Sequence, residues 1–556
     1  MIKVLGKILR YCVAFVLSLI LLILAAGVVL YMTADRSIPD NSLPVVIPSP
    51  RDSSGVLLFG RSSLEKGEGD LWNLWLRGDA EERGLAFGQL CKSLMHEQER
   101  AFVDQIKIIV PNEKYLSFLK YLTIIYNRNI RSNIEEEFRK EIYATSLGSS
   151  SEFDYIGSPY DRQLNYHAAH DLGHAMQEYM LVGCSSFAAW DSESDDSTLI
   201  IGRNFDFWVG DDFAKNKVVT IMEPDKGYKF LSVGWAGMSG VLSGMNEKGL
   251  TITMNAAKSS PPVRSKTPIS IIAREILQYA SNIEEAYIIA SKRDAFVSES
   301  LLIGSGLENR AAIIEKSPDN TRLFTTQGEL IISTNHFQTA GFFNDKQNKE
   351  AVQAIEGSHS QYRYNRLKQL IADMKPLSPE RSARILRNKN GISDEELGLG
   401  NEMSINQYIS HHSVIFKPVQ RVVWVSTAPW QLGKMVKYDL NELFNLSANN
   451  IKDDFKDIPA DSVQINEFEP KVRDFRKMSK LLSQKTSEKI SADEEFVSSY
   501  IMINPYFFQT YTNLGENFLS SGDYSSASAM FSKALEMKLP SEETRRYIIN
   551  KLEKLK

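Results

Sequence analysis

A Gly-Cys pair at positions 183 and 184 carries the residue types that covalent acyl chemistry needs. The surrounding sequence is GCSSF at 183–187. An ionised cysteine sulfur is a strong nucleophile, whereas a lone cysteine is more often a small packing residue. Gly183, on the acyl side, has no side chain to obstruct attack of the Cys184 sulfur on its carbonyl carbon. The pair therefore predicts either a structural thiol or a bond at which the chain cuts itself.

Cleavage between Gly183 and Cys184 would free an α-amine beside the thiol. Such an amine has a pKa of about 7.7–8.0, so it can take the thiol proton and return it to a leaving amine without a histidine. Two charged residues follow in the segment GRNFDF at 202–207. Arg203 is a fixed cation that favours the thiolate. Asp206 can accept hydrogen bonds from the α-ammonium and hold it in place.

Further motifs follow the cysteine in a fixed order. They are GMNEKGL at 244–250, then Asn255, and later the run Ser333-Thr334-Asn335. This series resembles the choloylglycine hydrolase and penicillin acyltransferase-like branch of the N-terminal nucleophile (Ntn) hydrolases, over residues 184 to about 440. The internal cysteine resembles the acyltransferase branch, in which a precursor cleaves itself before the N-terminal thiol can work.

The resemblance implies a site and a role for each of its members. Asn255 and Asn335 match positions whose amides face the tetrahedral intermediate, where a preorganised donor contributes about 3 kcal/mol. Arg363 matches a late arginine that orders the site, and Arg366, one turn on, is its rival. Asn246 is interpreted as a hairpin-turn residue. The predicted catalytic residues are Cys184, Arg203, Asp206, Asn255, Asn335 and Arg363.

The function that the resemblance implies is acyl transfer through a thioester at Cys184. We favour hydrolysis of a linear N-acyl amide, and the alternative is transfer of an acyl group from a thioester to an amine. A third hypothesis, from another class, is a non-catalytic membrane-anchored scaffold. Neither a cofactor nor a metal is expected. Several aromatic residues suit an apolar acyl or aryl group. They are Phe187, Trp190, Phe205, Phe207, Trp208 and Trp235. Core packing explains some of them equally well.

A histidine series could suggest a metal site. The spacing of His167, His170 and His174 places them on one helix face, with Asp171 nearby. Three imidazoles on one face can bind zinc. Because the sequence lacks HExxH, we favour a polar helix face, or a contact to the site before processing, over a metal.

A serine hydrolase is a second competing hypothesis. The pair His411-His412 precedes Ser413, and Ser185 and Ser186 follow the cysteine. No GxSxG elbow supports this hypothesis. A structural histidine pair near the start of a strand is the better interpretation.

The N-terminus predicts a membrane anchor. Lys3, Lys7 and Arg10 precede an uncharged run from Tyr11 to Met32, which is long enough to cross a bilayer of about 30 Å as a helix. A cleavable signal peptide is the alternative, but its apolar region would be shorter. The charge distribution places residues 1–10 in the cytoplasm and the body outside it, facing the periplasm if the protein is bacterial.

The bulk composition fits a multi-unit globular protein. The chain has 556 residues, 43% apolar and 24% charged, and a net charge of -5, so a nucleic-acid partner is not expected. Its three cysteines (Cys12, Cys91 and Cys184) cannot make a disulfide framework.

The pattern along the chain predicts a domain order. After Gly183, strand-like runs and helical segments alternate in blocks, which favours layered packing, and the resemblance implies a four-layer αββα core. The tail has the residue spacing of one tetratricopeptide (TPR) repeat, which indicates a protein-binding platform or a small helical cap. The predicted units are a cytoplasmic end (1–10), an anchor (11–32), a tether (33–67), a helical pro-segment (68–183), the core (184–444), a linker (445–488) and the tail (489–556).

Overall fold

The computed structural model describes residues 2–110, 112–167, 181–257, 266–295, 297–318, 320–339, 355, 357–446 and 454–555. Eleven strands form its larger sheet, in the order β1-β2-β3-β4-β8-β9-β10-β11-β12-β13-β14. Their bounds are β1 Arg51–Ser53, β2 Val56–Phe59, β3 Ser62–Lys66, β4 Leu71–Gly78, β8 Lys217–Pro224, β9 Phe230–Gly234, β10 Ser243–Asn246, β11 Leu250–Ala256, β12 Glu299–Ser305, β13 Arg310–Lys316 and β14 Thr321–Phe324.

Seven strands form the second sheet. Six of them lie side by side in the order β15-β6-β7-β16-β17-β18, and β5 pairs with β7. Their bounds are β5 Leu181–Val182, β6 Ser185–Ala189, β7 Ile200–Trp208, β15 Leu330–Ser333, β16 Ser410–Lys417, β17 Val422–Ser426 and β18 Met435–Asp439. Every residue of β6, β16 and β17 is buried. Since successive side chains on a strand point to opposite faces, both faces of this sheet are covered.

Helices precede, cover and follow the sheets. Those before the cysteine are α1 Ile2–Met32, α2 Ala80–Leu90, α3 Lys92–Ile109, α4 Glu113–Tyr126, α5 Glu136–Ser146 and α6 Pro159–His167. Those within the core are α7 Ile269–Tyr279, α8 Ile283–Lys292, α9 His359–Met374, α10 Pro379–Leu386 and α11 Leu440–Leu443. Those of the tail are α12 Glu469–Ser487, α13 Glu494–Ile503, α14 Phe508–Ser521, α15 Tyr524–Glu536 and α16 Glu542–Glu553.

The apolar clusters define four layers. One cluster joins the two sheets, with Val219 and Leu302 of the larger sheet meeting Val414 of the smaller one. A second cluster packs α2, α5 and α7 on the outer face of the larger sheet. A third packs α9 and α10 on the outer face of the smaller sheet. The chain therefore has the predicted α+β architecture, with helix, sheet, sheet and helix stacked in that order.

The segment before the cysteine contributes more than helices. Strand β4 pairs in parallel with β8 of the core, from Leu71 opposite Lys217 to Gly78 opposite Pro224. Strands β1 to β3 continue the same sheet through residues 51–66. The structure thus differs from the predicted tether (33–67) and helical pro-segment (68–183). The reason is that Leu71, Leu74 and Leu76 are fully buried and need the sheet to cover them.

The C-terminal region also differs from its prediction. The sequence predicts a linker at residues 445–488, yet this segment contains helix α12. Val472, Phe475 and Leu482 are buried along this helix, although lysines and arginines surround them in the sequence. The helix pair α14 and α15 packs closely, since a Cβ on Gly515 would come within 2.8 Å of the Phe531 ring. The TPR-like nature of the tail stays a prediction.

The N-terminal helix α1 contains the apolar run Tyr11–Met32, whose mean hydropathy is 3.1 and which is not buried against the protein. Its end contacts α4, where the Tyr31 and Tyr121 ring centroids lie 5.5 Å apart. By length and composition, this helix could cross a membrane.

Candidate active site

Cys184 immediately precedes β6, which pairs with β7. The two strands pair antiparallel, with Ser185 opposite Asn204 and Ser186 opposite Arg203. The Cys184 thiol is fully buried, and Arg203 Nη2 donates to Cys184 Sγ at 3.8 Å. The strand pairing therefore brings the predicted nucleophile and the predicted cation together.

Arg203 is held rigidly around the thiol. Its Nη1 donates to the Leu242 carbonyl at 3.0 Å and to the Ser243 hydroxyl, and its Nη2 also donates to the Met254 carbonyl. The guanidinium carbon lies 4.4 Å from the centroid of the Phe205 ring. Neutral oxygens and an aromatic face thus hold a buried cation whose charge is directed at the sulfur.

Burial controls the titration of the site. It raises the pKa of the Cys184 thiol to about 11, against the opposing effect of Arg203. It likewise raises the pKa of Asp206 to about 7, opposed by the Ser410 hydroxyl and by Arg363 and Arg203. In the uncleaved chain the thiol is therefore protonated at neutral pH, and Asp206 keeps its proton to a higher pH than an exposed carboxyl does.

The carbonyl of Gly183 accepts two hydrogen bonds from side chains. Arg363 Nη1 donates to the Gly183 oxygen at 3.1 Å and to the Cys184 oxygen at 2.6 Å. Gln407 Nε2 donates to the same Gly183 oxygen at 2.9 Å and to Asp206 Oδ2 at 3.2 Å. The structure thus brings Arg363 to the predicted cleavage bond. Sequence reasoning missed Gln407, which lies in irregular chain before β16 and carries no motif.

The two predicted amide residues lie next to this network. Asn255 Nδ2 donates to Ser186 Oγ at 2.7 Å and to the Ser333 carbonyl at 2.9 Å. Asn335 Nδ2 donates to the Ala256 carbonyl at 2.9 Å, and its Oδ1 accepts from Arg363 Nη2 at 2.7 Å. In the uncleaved chain, both amides therefore orient strands and Arg363, and their N–H groups are directed at protein carbonyls and a hydroxyl.

Asn246 and Arg366 lie outside the network around Cys184. Asn246 Oδ1 accepts from the backbone of Lys248 and Leu250, each at 3.0 Å, as a turn residue does. Arg366 donates to Gln369 and Asp394, away from the cysteine. Of the two arginines on α9, Arg363 is therefore the one at the site.

His167, the described member of the histidine series, occupies a structural position. His167 uses both ring nitrogens, Nδ1 toward the Gln163 carbonyl at 2.7 Å and Nε2 as acceptor from Ser239 N at 2.9 Å. Burial lowers its pKa to about 4. His170, Asp171 and His174 lie outside the described residues. Across the described part of the chain, no group of three or more potential metal ligands is found.

The pair His411-His412 is buried in β16. The two Nδ1 atoms lie 2.9 Å apart, and His412 Nε2 bonds the Ser243 hydroxyl at 2.9 Å. Burial lowers the pKa of His411 to about 3. Ser413 Oγ donates to the Arg203 carbonyl at 3.2 Å, so its proton is not directed at a histidine. This arrangement is a polar support beneath Arg203 and does not form a serine-hydrolase dyad.

A cleft, partly open to solvent, lies between the helices before the cysteine and the core. Of the predicted aromatic residues, Phe207 and Trp235 line it, and their rings stack with centroids 6.0 Å apart. Phe187 and Trp190 instead fill the interior layers. The remaining lining residues are Met95, Gln98, Glu99, Phe102, Gln163, Tyr166, Phe213, Ala236, Gly237 and Met238.

Comparison with known families supports the predicted family resemblance. The family model described as acyl-coenzyme A:6-aminopenicillanic acid acyl-transferase matches residues 192–428. This match confirms, for that part of the chain, the resemblance to the penicillin acyltransferase-like family that the ordered motifs predicted.

Two curated relatives are similar to a part of the chain. An uncharacterized protein of Archaeoglobus fulgidus is 26% identical over 262 residues, covering 44% of this chain and 43% of the relative. The protein dcd1B of Dictyostelium discoideum is 24% identical over 266 residues, covering 45% and 51%. The chain thus spans about half the length of the curated relatives it matches.

Several solved structures also align with the chain. An N-acylethanolamine-hydrolyzing acid amidase ortholog of Caenorhabditis elegans aligns with a TM-score of 0.32 and 14% identity, covering 42% of this chain and 93% of that one. A penicillin V acylase of Agrobacterium tumefaciens aligns with a TM-score of 0.31 and 14% identity, covering 47% and 87%. A conjugated bile acid hydrolase of Clostridium perfringens aligns with a TM-score of 0.32 and 12% identity, covering 48% and 95%.

Proposed function

We propose that this protein is an enzyme that cleaves its own chain between Gly183 and Cys184 and then uses the freed Cys184 to hydrolyse a linear N-acyl amide. One observation carries the proposal: Arg203 contacts the Cys184 sulfur while Arg363 and Gln407 hold the Gly183 carbonyl. A nucleophile, a cation and carbonyl donors thus converge on one peptide bond. Such convergence is the geometric requirement for acyl transfer.

The cleavage is an acyl shift followed by hydrolysis. The Cys184 sulfur loses its proton and bonds to the Gly183 carbonyl carbon. The carbon–nitrogen bond then breaks, and the Cys184 nitrogen takes up a proton. Water hydrolyses the resulting thioester, which leaves a carboxylate on Gly183 and a free thiol and amine on Cys184. The new amine can serve as the base in later turnovers, because its ordinary pKa lies close to neutral pH.

The two fragments are expected to stay together after cleavage. Strand β4 precedes the cut and β8 follows it, yet they pair along eight residues each. Glu141 belongs to the N-terminal fragment and is fully buried. It accepts from Arg83 Nη2 of the same fragment at 2.8 Å and from Arg274 Nη1 of the core at 3.1 Å. Separating the fragments would leave a buried charge without one of its partners, which costs about 3–5 kcal/mol.

The cleft has an apolar lining, which suits an apolar group on a small-molecule substrate, and Cys184, Arg203 and Asp206 lie outside that lining. Phe207 directly follows Asp206 on β7 and lines the cleft together with Phe213 and Trp235. Because helices α3 and α6 form the opposite wall, the segment before the cut shapes the binding site as well as the core does. Transfer of the acyl group to an amine is the second candidate, because the matching family model is described as an acyltransferase.

We also propose that α1 is a retained signal anchor and that the catalytic part lies outside the cytoplasm. The uncharged run from Tyr11 to Met32 and the basic residues before it support this topology. The tail is proposed as a TPR-like surface for a protein partner. Protease protection in sealed membranes tests the topology, and a catalytic part shielded on the cytoplasmic face would refute it.

The decisive experiment is a denaturing gel of the full-length protein purified in detergent. We expect wild type to give fragments 1–183 and 184–556, with Cys184 as the N-terminus of the second fragment. Cys184→Ala should give one intact chain, whereas the matched control Cys91→Ala should be cleaved like wild type. An uncleaved wild-type chain without an N-terminal Cys184 would rule out the mechanism and favour a non-catalytic scaffold.

The reaction type is tested with the cleaved protein. N-acyl amino acids, bile-salt conjugates, and acyl-CoA with amine acceptors are incubated with wild type and with Cys184→Ala. Release of amine from the first two groups supports hydrolysis. Amide formation only in the presence of acyl-CoA and an amine would instead establish the acyltransferase alternative.

A further inference from the structure

We propose that Gln407 and Arg363 together form the oxyanion hole of the self-cleavage reaction, and that the C-terminal helix α12 holds Gln407 in place through Arg476. This inference rests on the proposed self-cleavage and adds to it a catalytic residue that no motif indicated. It also gives the C-terminal region a function inside the core.

Two side-chain donors meet on the oxygen that becomes negative. When sulfur attacks the Gly183 carbonyl carbon, the charge develops on the Gly183 oxygen. Gln407 Nε2 and Arg363 Nη1 already lie 2.9 and 3.1 Å from that oxygen. Both side chains are buried, and donors fixed in a water-poor site stabilise developing charge most effectively. The pair thus has the composition and placement of an oxyanion hole.

The orientation of the Gln407 amide is dictated by its neighbours. Its NH₂ group faces two oxygens, the Gly183 carbonyl and Asp206 Oδ2 at 3.2 Å. A flipped amide would set its own oxygen against both acceptors. The donor orientation that stabilises the oxyanion is therefore also the one that Asp206 enforces.

Close approach of Gln407 explains the glycine on the acyl side of the cut. A Cβ built on Gly183 would lie 2.5 Å from Gln407 Nε2 and 2.8 Å from Gln407 Oε1. Any side chain at 183 would push the amide away from the carbonyl. Gly183 is thus required for the donor contact, in addition to leaving the carbonyl open to attack.

Helix α12 fixes the backbone next to Gln407. Tyr408 has a left-handed φ of 56°, which a non-glycine residue adopts only when its surroundings hold it. Its carbonyl accepts from Arg476 Nη2 at 2.6 Å, and its N–H donates to Asn406 Oδ1 at 2.9 Å. Arg476 Nη1 also donates to Asp211 at 2.5 Å. The helix thereby connects the chain around Gln407 to the loop after β7.

The test measures the self-cleavage rate of the full-length precursor by pulse-chase labelling. Gln407→Leu keeps the side-chain volume and removes the donor, so we expect cleavage about 100-fold slower than in wild type. Gln420→Leu is the matched control, because Gln420 is a buried glutamine that donates to Asp196 Oδ2 at 3.0 Å on another part of the core. Cleavage of Gln407→Leu at the rate of Gln420→Leu would overturn the inference.

A second variant remains informative if Gln407→Leu does not fold. Gln407→Glu places a carboxyl between Asp206 and the Gly183 carbonyl, with Arg363 as the facing cation. Above neutral pH its negative charge repels the oxyanion, whereas in acid its protonated form can donate one hydrogen bond. We expect the ratio of its cleavage rate to that of wild type to increase as pH falls from 8 to 5. A ratio that does not change with pH would contradict a donor role.

The positioning role of Arg476 is tested separately. Arg476→Gln should slow cleavage about tenfold, because the chain around Gln407 loses its charged anchor, and Arg476→Lys should restore part of the rate. Equal rates for wild type and Arg476→Gln would refute the role of α12. If wild type itself is not cleaved, the proposed function fails; if wild type and Gln407→Leu are cleaved alike, only the present inference fails.

Discussion

Cys91 and Cys184 are both fully buried, yet their surroundings differ in kind. Cys91 lies at the junction of α2 and α3 among apolar side chains, and burial alone raises the pKa of its thiol far above the ordinary range. Cys184 is equally buried, but Arg203 opposes that effect and its pKa is raised less, to about 11. Burial by itself thus makes a thiol inert, and reactivity depends on charged groups that the neighbouring strands supply.

The largest effect is expected from removing the charge that distinguishes the two thiols. Arg203→Gln keeps a donor for the Met254 carbonyl but makes the environment of Cys184 resemble that of Cys91. We expect self-cleavage to slow by about 100-fold, because the thiolate is no longer stabilised. The rate is measured on purified precursor.

Arg366→Gln is the matched control for this change. Arg366 is an arginine buried to the same degree, on α9, but it is directed at Asp394. Its substitution should change the cleavage rate less than threefold, since it alters no group at the thiol. Equal losses in Arg203→Gln and Arg366→Gln would show that the cation at Cys184 has no special role.

A smaller effect, about tenfold per pH unit, is expected from titrating Asp206. Its raised pKa means that the carboxylate forms only as pH rises through about 7, and the ionised carboxylate is the form that accepts from Gln407 Nε2 and fixes the donor orientation of that amide. The charged groups facing it are Arg203 and Arg363. Self-cleavage should therefore slow below pH 7, and a pH profile of the precursor measures this.

The turnover reaction should have its acidic limb at lower pH than self-cleavage. Once Cys184 carries a free ammonium, this cation lowers the pKa of Asp206. Asp206→Asn should abolish the acidic limb in whichever reaction still proceeds. Identical acidic limbs for self-cleavage and turnover would show that the new amine does not interact with Asp206.

The smallest effect is expected at Cys91. Cys91→Ala removes one buried sulfur from an apolar cluster and should lower the free energy of unfolding by about 1 kcal/mol. The cleavage rate should not change, because burial alone raises the pKa of the Cys91 thiol and keeps it protonated. Denaturant unfolding and the cleavage gel test both points, and slowed cleavage in this variant would contradict the comparison.

The candidate site could be predicted from the sequence only in part. Cys184, Arg203 and Asp206 lie on two strands that follow each other closely, so local pairing brings them together as their motifs indicated. Arg363 and Arg366 both suit the late motif, and only the packing of α9 decided between them. The roles of Asn255 and Asn335 at the tetrahedral intermediate stay predictions. Their hydrogen-bond partners in the structure are Ser186, Ser333 and Ala256, which the sequence does not relate to them.

The fold shows the same division. The two-sided burial of the core strands and the helical segments α7 and α8 follow from apolar periodicity. The sequence does not predict strands β1 to β4, which the segment before the cysteine adds to the larger sheet, because β4 finds its partner β8 more than a hundred residues later. The sequence predicts a linker where helix α12 lies, because lysines and arginines outnumber the few apolar residues that the helix buries.

The Gly183-Cys184 pair, its arginine and aspartate, and the apolar N-terminal run were determined by the sequence alone, since they depend on residue type and short spacing. Only the tertiary structure decided that Gln407 faces the Gly183 carbonyl and that α12 reaches the site through Arg476. The physical reason is that both contacts join segments far apart in the chain. Their distance in space depends on how the layers and the tail pack together.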